Sequence, residues 1–213
     1  DTEYQWQVAV SDGQTQILGP VWSFTTFKVQ YSITDLGVLG EITNASFAYG
    51  LNNNGVVVGS SGEEYGLQEG FVWETGELTG LGTLSDGLWS RAVAINNDEV
   101  IVGSSHCQSP AWLVHACVWD TGEIIDAGAL GGFDCSSYGL DVNNNGNMVG
   151  YSYLEPNQWE PPHAFLWNGE HMVDLGVLSG DDSSRAEAIN NDGIVVGRSS
   201  HTINDTSYTQ AFL

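Results

Sequence analysis

One short pattern recurs four times along the chain and limits its fold more than any other feature: an asparagine-rich turn running into an apolar stretch that ends in glycine. Leu51-Asn52-Asn53-Asn54-Gly55 leads into Val56-Val57-Val58-Gly59, and Ile95-Asn96-Asn97-Asp98 leads into Val100-Ile101-Val102-Gly103. Val142-Asn143-Asn144-Asn145-Gly146 precedes Met148-Val149-Gly150, and Ile189-Asn190-Asn191-Asp192-Gly193 precedes Val195-Val196-Gly197. Flanking motifs keep the same order. Ahead of each turn stand Asp35-Leu36-Gly37, Gly80-Leu81-Gly82, Asp126-Ala127-Gly128 and Asp174-Leu175-Gly176. Behind it stand Phe71-Val72-Trp73, Cys117-Val118-Trp119, Phe165-Leu166-Trp167 and Phe212-Leu213. A fixed period of about 46 residues means that one supersecondary unit is repeated and stacked on its neighbours.

Each unit reads as four short strands: A at Asp-Leu-Gly, B ending at Ile-Asn, C at Val-Val-Gly and D at Phe-Val-Trp. Asn-Asn-Asn-Gly or a variant of it joins B to C, and Glu74-Thr75-Gly76-Glu77 and Asp120-Thr121-Gly122-Glu123 join D to A. Both links are tight-turn signals, because Asn and Gly accept a positive φ. No helical period of useful length appears. The expected fold is all-β: a β-propeller-like array of four four-stranded repeats (29–75, 76–121, 122–168, 169–213), plus an N-terminal β-hairpin. A β-solenoid is the alternative, but its coils are shorter and hold fewer tight hairpins.

His163-Ala164-Phe165-Leu166-Trp167 with Asp174-Leu175-Gly176-Val177-Leu178, and Ala188-Ile189-Asn190-Asn191-Asp192-Gly193-Ile194-Val195-Val196-Gly197, resemble the extracellular HAF repeat of bacteria and archaea. The likeness runs over about residues 31–213. Units one and two depart from it, with Gly70-Phe71 and Ala116-Cys117 in place of Ala-Phe. The resemblance implies secretion or surface display and brings no catalytic residues with it.

Residues 1–28 differ from the repeats. Tyr4-Gln5-Trp6-Gln7-Val8-Ala9-Val10, a Ser11-Asp12-Gly13 turn and Pro20-Val21-Trp22-Ser23-Phe24 resemble the last two strands of a fibronectin type III-like domain. A lone hairpin is not stable by itself, so Trp6, Val8, Val10, Val21, Trp22 and Phe24 are candidates for an assembly surface. The expected partner is a second copy or another surface protein, joined by strand exchange. The start at Asp1 and the stop at Leu213, one residue short of the recurring Trp, read as a processed product or a piece of a longer protein.

Four Lys and Arg stand against 27 Asp and Glu, a formal net charge of −23. Such a surface cannot neutralise phosphates, which excludes nucleic acid, and no apolar run approaches the ~20 residues of a membrane-spanning helix. The balance suits solubility in salty surroundings, with screening by counter-ions. The sequons Asn44-Ala45-Ser46 and Asn204-Asp205-Thr206 fit an extracellular chain.

Antiparallel strands sort the loops onto two faces. The A–B and C–D loops (60–69, 104–115, 151–163 and 198–209) gather Trp89, Trp112, Trp159, Tyr65 and Tyr208 with Glu41, Asp86, Asp134, Asp181 and Asp182. Aromatic platforms beside carboxylates fit glycans or a protein interface. The expected function is therefore a non-catalytic structural or adhesive surface protein, with a carbohydrate-binding module as the alternative. A glycoside-acting enzyme using the Asp181 and Asp182 pair is a third reading. No cofactor is expected apart from calcium, which Asp181 and Asp182 offer oxygens to hold. Among the three cysteines, Cys107 and Cys135 fall in loops on one face of adjacent units, a disulfide candidate. His106, Cys107, His115 and Cys117 carry zinc-type donors. However, His115 shares its repeat position with His163, and Cys117 stands where Phe71 and Phe165 stand, so both read as scaffold.

Overall fold

The computed structural model describes residues 2–26, 31–40, 45–63, 67–107, 113–156 and 160–213. The chain divides into two compact units, Asp1–Asp35 and Leu36–Leu213. The first holds a hairpin of β1 (Thr2–Ser11) and β2 (Gln16–Thr26). Its turn is closed by the Asp12 carboxylate, which accepts the amides of Gln14 and Thr15. Across the strands Trp6 stacks on Trp22 at 4.5 Å and Tyr4 on Phe24 at 5.1 Å.

The second unit is a series of antiparallel meanders. β3 (Ala45–Leu51), β4 (Val57–Gly62), β5 (Gln68–Glu74) and β6 (Glu77–Gly80) form one four-stranded sheet in sequence order. The next sheet holds β7 (Ser90–Ile95), β8 (Ile101–His106), β9 (Val114–Asp120) and β10 (Glu123–Asp126). The third holds β11 (Ser137–Val142), β12 (Met148–Ser152), β13 (His163–Trp167) and β14 (Met172–Gly176). The fourth has three strands, β15 (Ser183–Ile189), β16 (Val195–Ile203) and β17 (Thr206–Phe212). No α-helix occurs among the described residues, and no helix is long and apolar enough to cross a membrane.

The strand expected to open each unit instead closes the sheet before it. Gly80 pairs with Phe71, and Asp126 with Cys117. A cyclic repeat fixes the order of strands but not where a sheet is cut, and the tight D–A turns make A the natural partner of the preceding D. Those turns are two-residue hairpins with both central residues at positive φ: Thr75 and Gly76, then Thr121 and Gly122. The loop expected over 198–209 is strand in the fourth sheet. β16 and β17 extend to a turn at Asn204 and Asp205, both at positive φ.

The first strand of each sheet lies against the first strand of the next, from β3 to β7, β11 and β15. No closed ring of sheets is formed among the described residues. Three apolar clusters fill the spaces between consecutive sheets. One joins Val58 and Val56 to Ile95, Ile101 and Trp119, the next joins Val102 and Val118 to Met148, Phe165 and Trp167, and the last joins Val149 and Ala164 to Ala186 and Ile189. Each first strand carries a bulge at the same place, between Ala48 and Gly50, Ala92 and Ala94, Gly139 and Asp141, and Ala186 and Ala188. The recurring glycine of the second strand faces it. A Cβ on Gly59, Gly103, Gly150 or Gly197 would strike the carbonyl of Phe47, Arg91, Tyr138 or Arg185. Phe71, Phe165 and Phe212 lie over three of these glycines, filling the space a side chain would take.

Candidate functional site

The asparagine turns do more than bend the chain. Asn52, Asn96, Asn143 and Asn190 each accept two amides of their own turn through Oδ1, from residues two and four further on, at 2.9–3.0 Å. Three then reach into the following repeat: Asn52 Nδ2 donates to the Asn96 carbonyl at 3.1 Å, Asn96 to Asn143 at 2.9 Å and Asn143 to Asn190 at 3.0 Å. The next residue runs a parallel row, in which the amides of Asn53, Asn97 and Asn144 donate to Oδ1 of Asn97, Asn144 and Asn191. An asparagine side chain suits this because it carries a double acceptor and a donor on one planar group.

Buried serines form a second set of links between the sheets. Ser90, Ser137 and Ser184 donate to the carbonyls of Gly82, Gly128 and Gly176 and accept the amides of Gly70, Ala116 and Ala164 from the preceding sheet. Ser61, Ser105, Ser152 and Ser199 accept the amides of Leu39, Leu84, Leu130 and Leu178 at 2.8–3.0 Å. The signal was present in the sequence, since a serine follows two residues after each recurring glycine of the second strand.

The candidate loop face is only partly brought into view. Tyr65, Trp112, Trp159 and Glu41 lie outside the described residues, as does the side chain of Asp86. Trp89 is half-buried, its carbonyl taking the amide of His106 at 2.9 Å. Asp134 is exposed. Tyr208 stacks on His201 at 5.2 Å. The Asp181 and Asp182 pair separates: Asp182 is exposed, whereas the Asp181 side chain is 2% exposed and bonded to His201 Nδ1 at 2.6 Å. Hydrogen bonding from Ser199, and then from His201, holds the Asp181 carboxyl below the ordinary value. Near this face an open cleft of ≈ 770 Å³ runs between the first and second sheets, lined by Leu39, Ser61, Gln68, Glu69, Thr83 and Leu88 among others.

The disulfide expected between Cys107 and Cys135 is absent. All three cysteines are buried free thiols. The Cys107 thiol faces the Ser105 carbonyl and the His115 side of the second sheet, while Cys135 Sγ lies against Gly131, so the two point to different neighbours.

His115, read as scaffold, is the centre of a polar cluster. Its Nδ1 meets both oxygens of Asp126 at 2.8 and 2.9 Å, and its Nε2 meets the Phe133 carbonyl at 3.2 Å. Burial alone would lower the imidazole, but the Asp126 hydrogen bond and the nearby Cys107 raise it to about 10. Burial would in turn raise Asp126, yet His115 and the Gly128 amide bring it below its usual value. The third sheet repeats the pair as His163 and Asp174 at 3.0 Å. In the first sheet Gly80 takes the aspartate's position, and Glu69 supplies the missing carboxylate from the histidine's position. Glu69 accepts the Gly82 amide at 2.9 Å, as Asp126 accepts that of Gly128 and Asp174 that of Gly176.

No protein-family model matches the chain, and no curated protein is similar to it in sequence.

Proposed function

We propose that the chain is a non-catalytic, propeller-like repeat scaffold of an extracellular or cell-surface protein, related to the HAF repeat, that associates with other copies through its terminal hairpin. The observation that carries this reading is the exposure of the hairpin's apolar side chains: Trp6 is 53% exposed, Val10 65%, Trp22 42% and Phe24 55%. Apolar patches of this kind mark interaction surfaces, and a two-stranded ribbon needs further partners to be stable. The sheet order supports propeller-like packing, since every sheet is a meander and the first strands adjoin from sheet to sheet.

Electron microscopy and light scattering of the intact chain test this. Fibres or oligomers are expected, with Trp6→Ser and Trp22→Ser together reducing them to single particles. Monodisperse monomers of the unaltered chain at high concentration would overturn the assembly reading. A second reading, a carbohydrate-binding module, is favoured by the cleft between the first two sheets, with Gln68, Glu69 and Thr83 on its walls. Saturable change of tryptophan fluorescence on adding polysaccharides would support it, and an unchanged spectrum would not.

A further inference from the structure

Two thiols accompany the His115–Asp126 pair in the second sheet, Cys107 and Cys117, both also packed in the apolar cluster with Val56, Val58 and Trp119. The third sheet has the same pair, His163 and Asp174, without either thiol. The residue two past the serine that accepts the leucine amide is Cys107 after Ser105 and Leu154 after Ser152. The residue facing the recurring glycine is Cys117 opposite Gly103, but Phe71 opposite Gly59 and Phe165 opposite Gly150. Across the four units the first position holds Glu63, Cys107, Leu154 and His201 and the second Phe71, Cys117, Phe165 and Phe212, so the second unit alone carries thiols at both, on the histidine's side of the sheet. Ser105 pairs with His115 and Gly103 with Cys117, while Cys117 also pairs with Asp126. Alternation along a strand puts residues two apart on one face. His115 and Cys117 thus share a face of β9, joined by Cys107 from the end of β8 and Asp126 from β10.

We propose that Cys107, His115 and Asp126 form a zinc site, its fourth position taken by water beside Cys117. One donor atom each from Cys107, His115 and Asp126 lies within 4.8 Å of the others, with Cys107 and His115 buried. A tetrahedral zinc ion takes thiolate sulfur at about 2.3 Å and imidazole nitrogen at about 2.0 Å, and accepts a carboxylate oxygen as well. The metal takes the position of the proton between His115 Nδ1 and Asp126. The other ring nitrogen keeps its bond to the Phe133 carbonyl, and such a contact fixes tautomer and ring orientation in metal-bound histidines. Calcium and magnesium do not fit, because they require an oxygen-rich shell and Asp126 is the only oxygen donor in the set. Binding releases the Cys107 thiol proton and the proton between His115 Nδ1 and Asp126, so occupancy increases with pH. The assignment is independent of the assembly and glycan readings above.

The test uses the intact chain kept reduced. Elemental analysis after equilibration with zinc and dialysis is expected to give one equivalent. Cobalt(II) in its place should give the near-ultraviolet sulfur-to-cobalt absorption and the visible bands of a tetrahedral ion. Cys107→Leu and Cys117→Phe, the residues of the third sheet, keep the His115–Asp126 pair and should remove both signals with the circular dichroism unchanged. Cys135→Ser should keep both. Absence of zinc and of the cobalt bands in the unaltered chain would overturn the proposal whatever the variants do. Undiminished binding by the Cys107→Leu/Cys117→Phe double variant would overturn it equally.

Discussion

Replacing Asn96 by alanine removes one rung of the asparagine row from its middle. Three hydrogen bonds go with it: Oδ1 with the amides of Asp98 and Val100, and Nδ2 with the Asn143 carbonyl. Asn96 is 5% exposed and Asn143 3%, so water has little access to the groups left behind. A hydrogen bond is worth about 1 kcal/mol net, and a buried partner left unmade costs about 1–3 kcal/mol. The expected loss is about 3–5 kcal/mol. Asn190, exposed at the end of the row, keeps only its two acceptor bonds within its own turn, and Asn190→Ala should cost about 1–2 kcal/mol. Asn96→Asp separates the two functions, preserving the acceptor while removing the donor that crosses to the next sheet. Urea unfolding of the full chain, followed by tryptophan fluorescence and circular dichroism, measures all three. Equal losses below about 1 kcal/mol at positions 96 and 190 would refute the argument that the row couples the repeats.

Glu99 holds φ +65 where Gly55, Gly146 and Gly193 occupy the equivalent turn position. Glu99→Gly should therefore raise stability by about 1 kcal/mol, read from the urea midpoint. Gly103→Ala should cost about 3 kcal/mol or more, because its Cβ would meet the Arg91 carbonyl. Gly122→Ala, with open space but φ +85, should cost only about 1 kcal/mol. Asp181 is held below its unfolded value of 3.8, so its contribution to stability is complete above that pH and is lost as pH falls through the lower folded value. A melting-temperature profile between pH 2 and 6 should accordingly show a shallower acid limb for Asp181→Asn than for the unaltered chain.

Strand content, the hairpin turns and the meander of each repeat were legible because they rest on local signals. Alternating apolar residues and Asn-Gly or Thr-Gly turns act over a few positions. The grouping of strands into sheets was less so, since a cyclic pattern contains no mark of where one sheet ends. The asparagines were recognised as turn residues for their tolerance of positive φ. Their second function depends on a backbone carbonyl 44 or 47 residues away, which leaves no imprint on composition. The serines were overlooked for a similar reason: a short polar residue beside glycine reads as loop until burial shows otherwise. Cys117 was rightly placed in the core, but Asp126 faces it and meets His115 through a cross-strand register that spacing alone does not reveal. At the loop face, Asp181 looked like half of a carboxylate pair, whereas a histidine 20 residues on claims it.

The side-chain rung has a bearing on how such a chain lengthens. Asn52, Asn96 and Asn143 each give Nδ2 to a main-chain oxygen, a group that every amino acid carries. A duplicated unit would therefore meet a ready acceptor at either junction, whatever residue stood there. Gene duplication could then insert another repeat without a compensating change in its neighbours. The same generality lets the copies diverge: Glu69 with Gly80 can stand in for a histidine and an aspartate in one sheet while the row beside it continues in step.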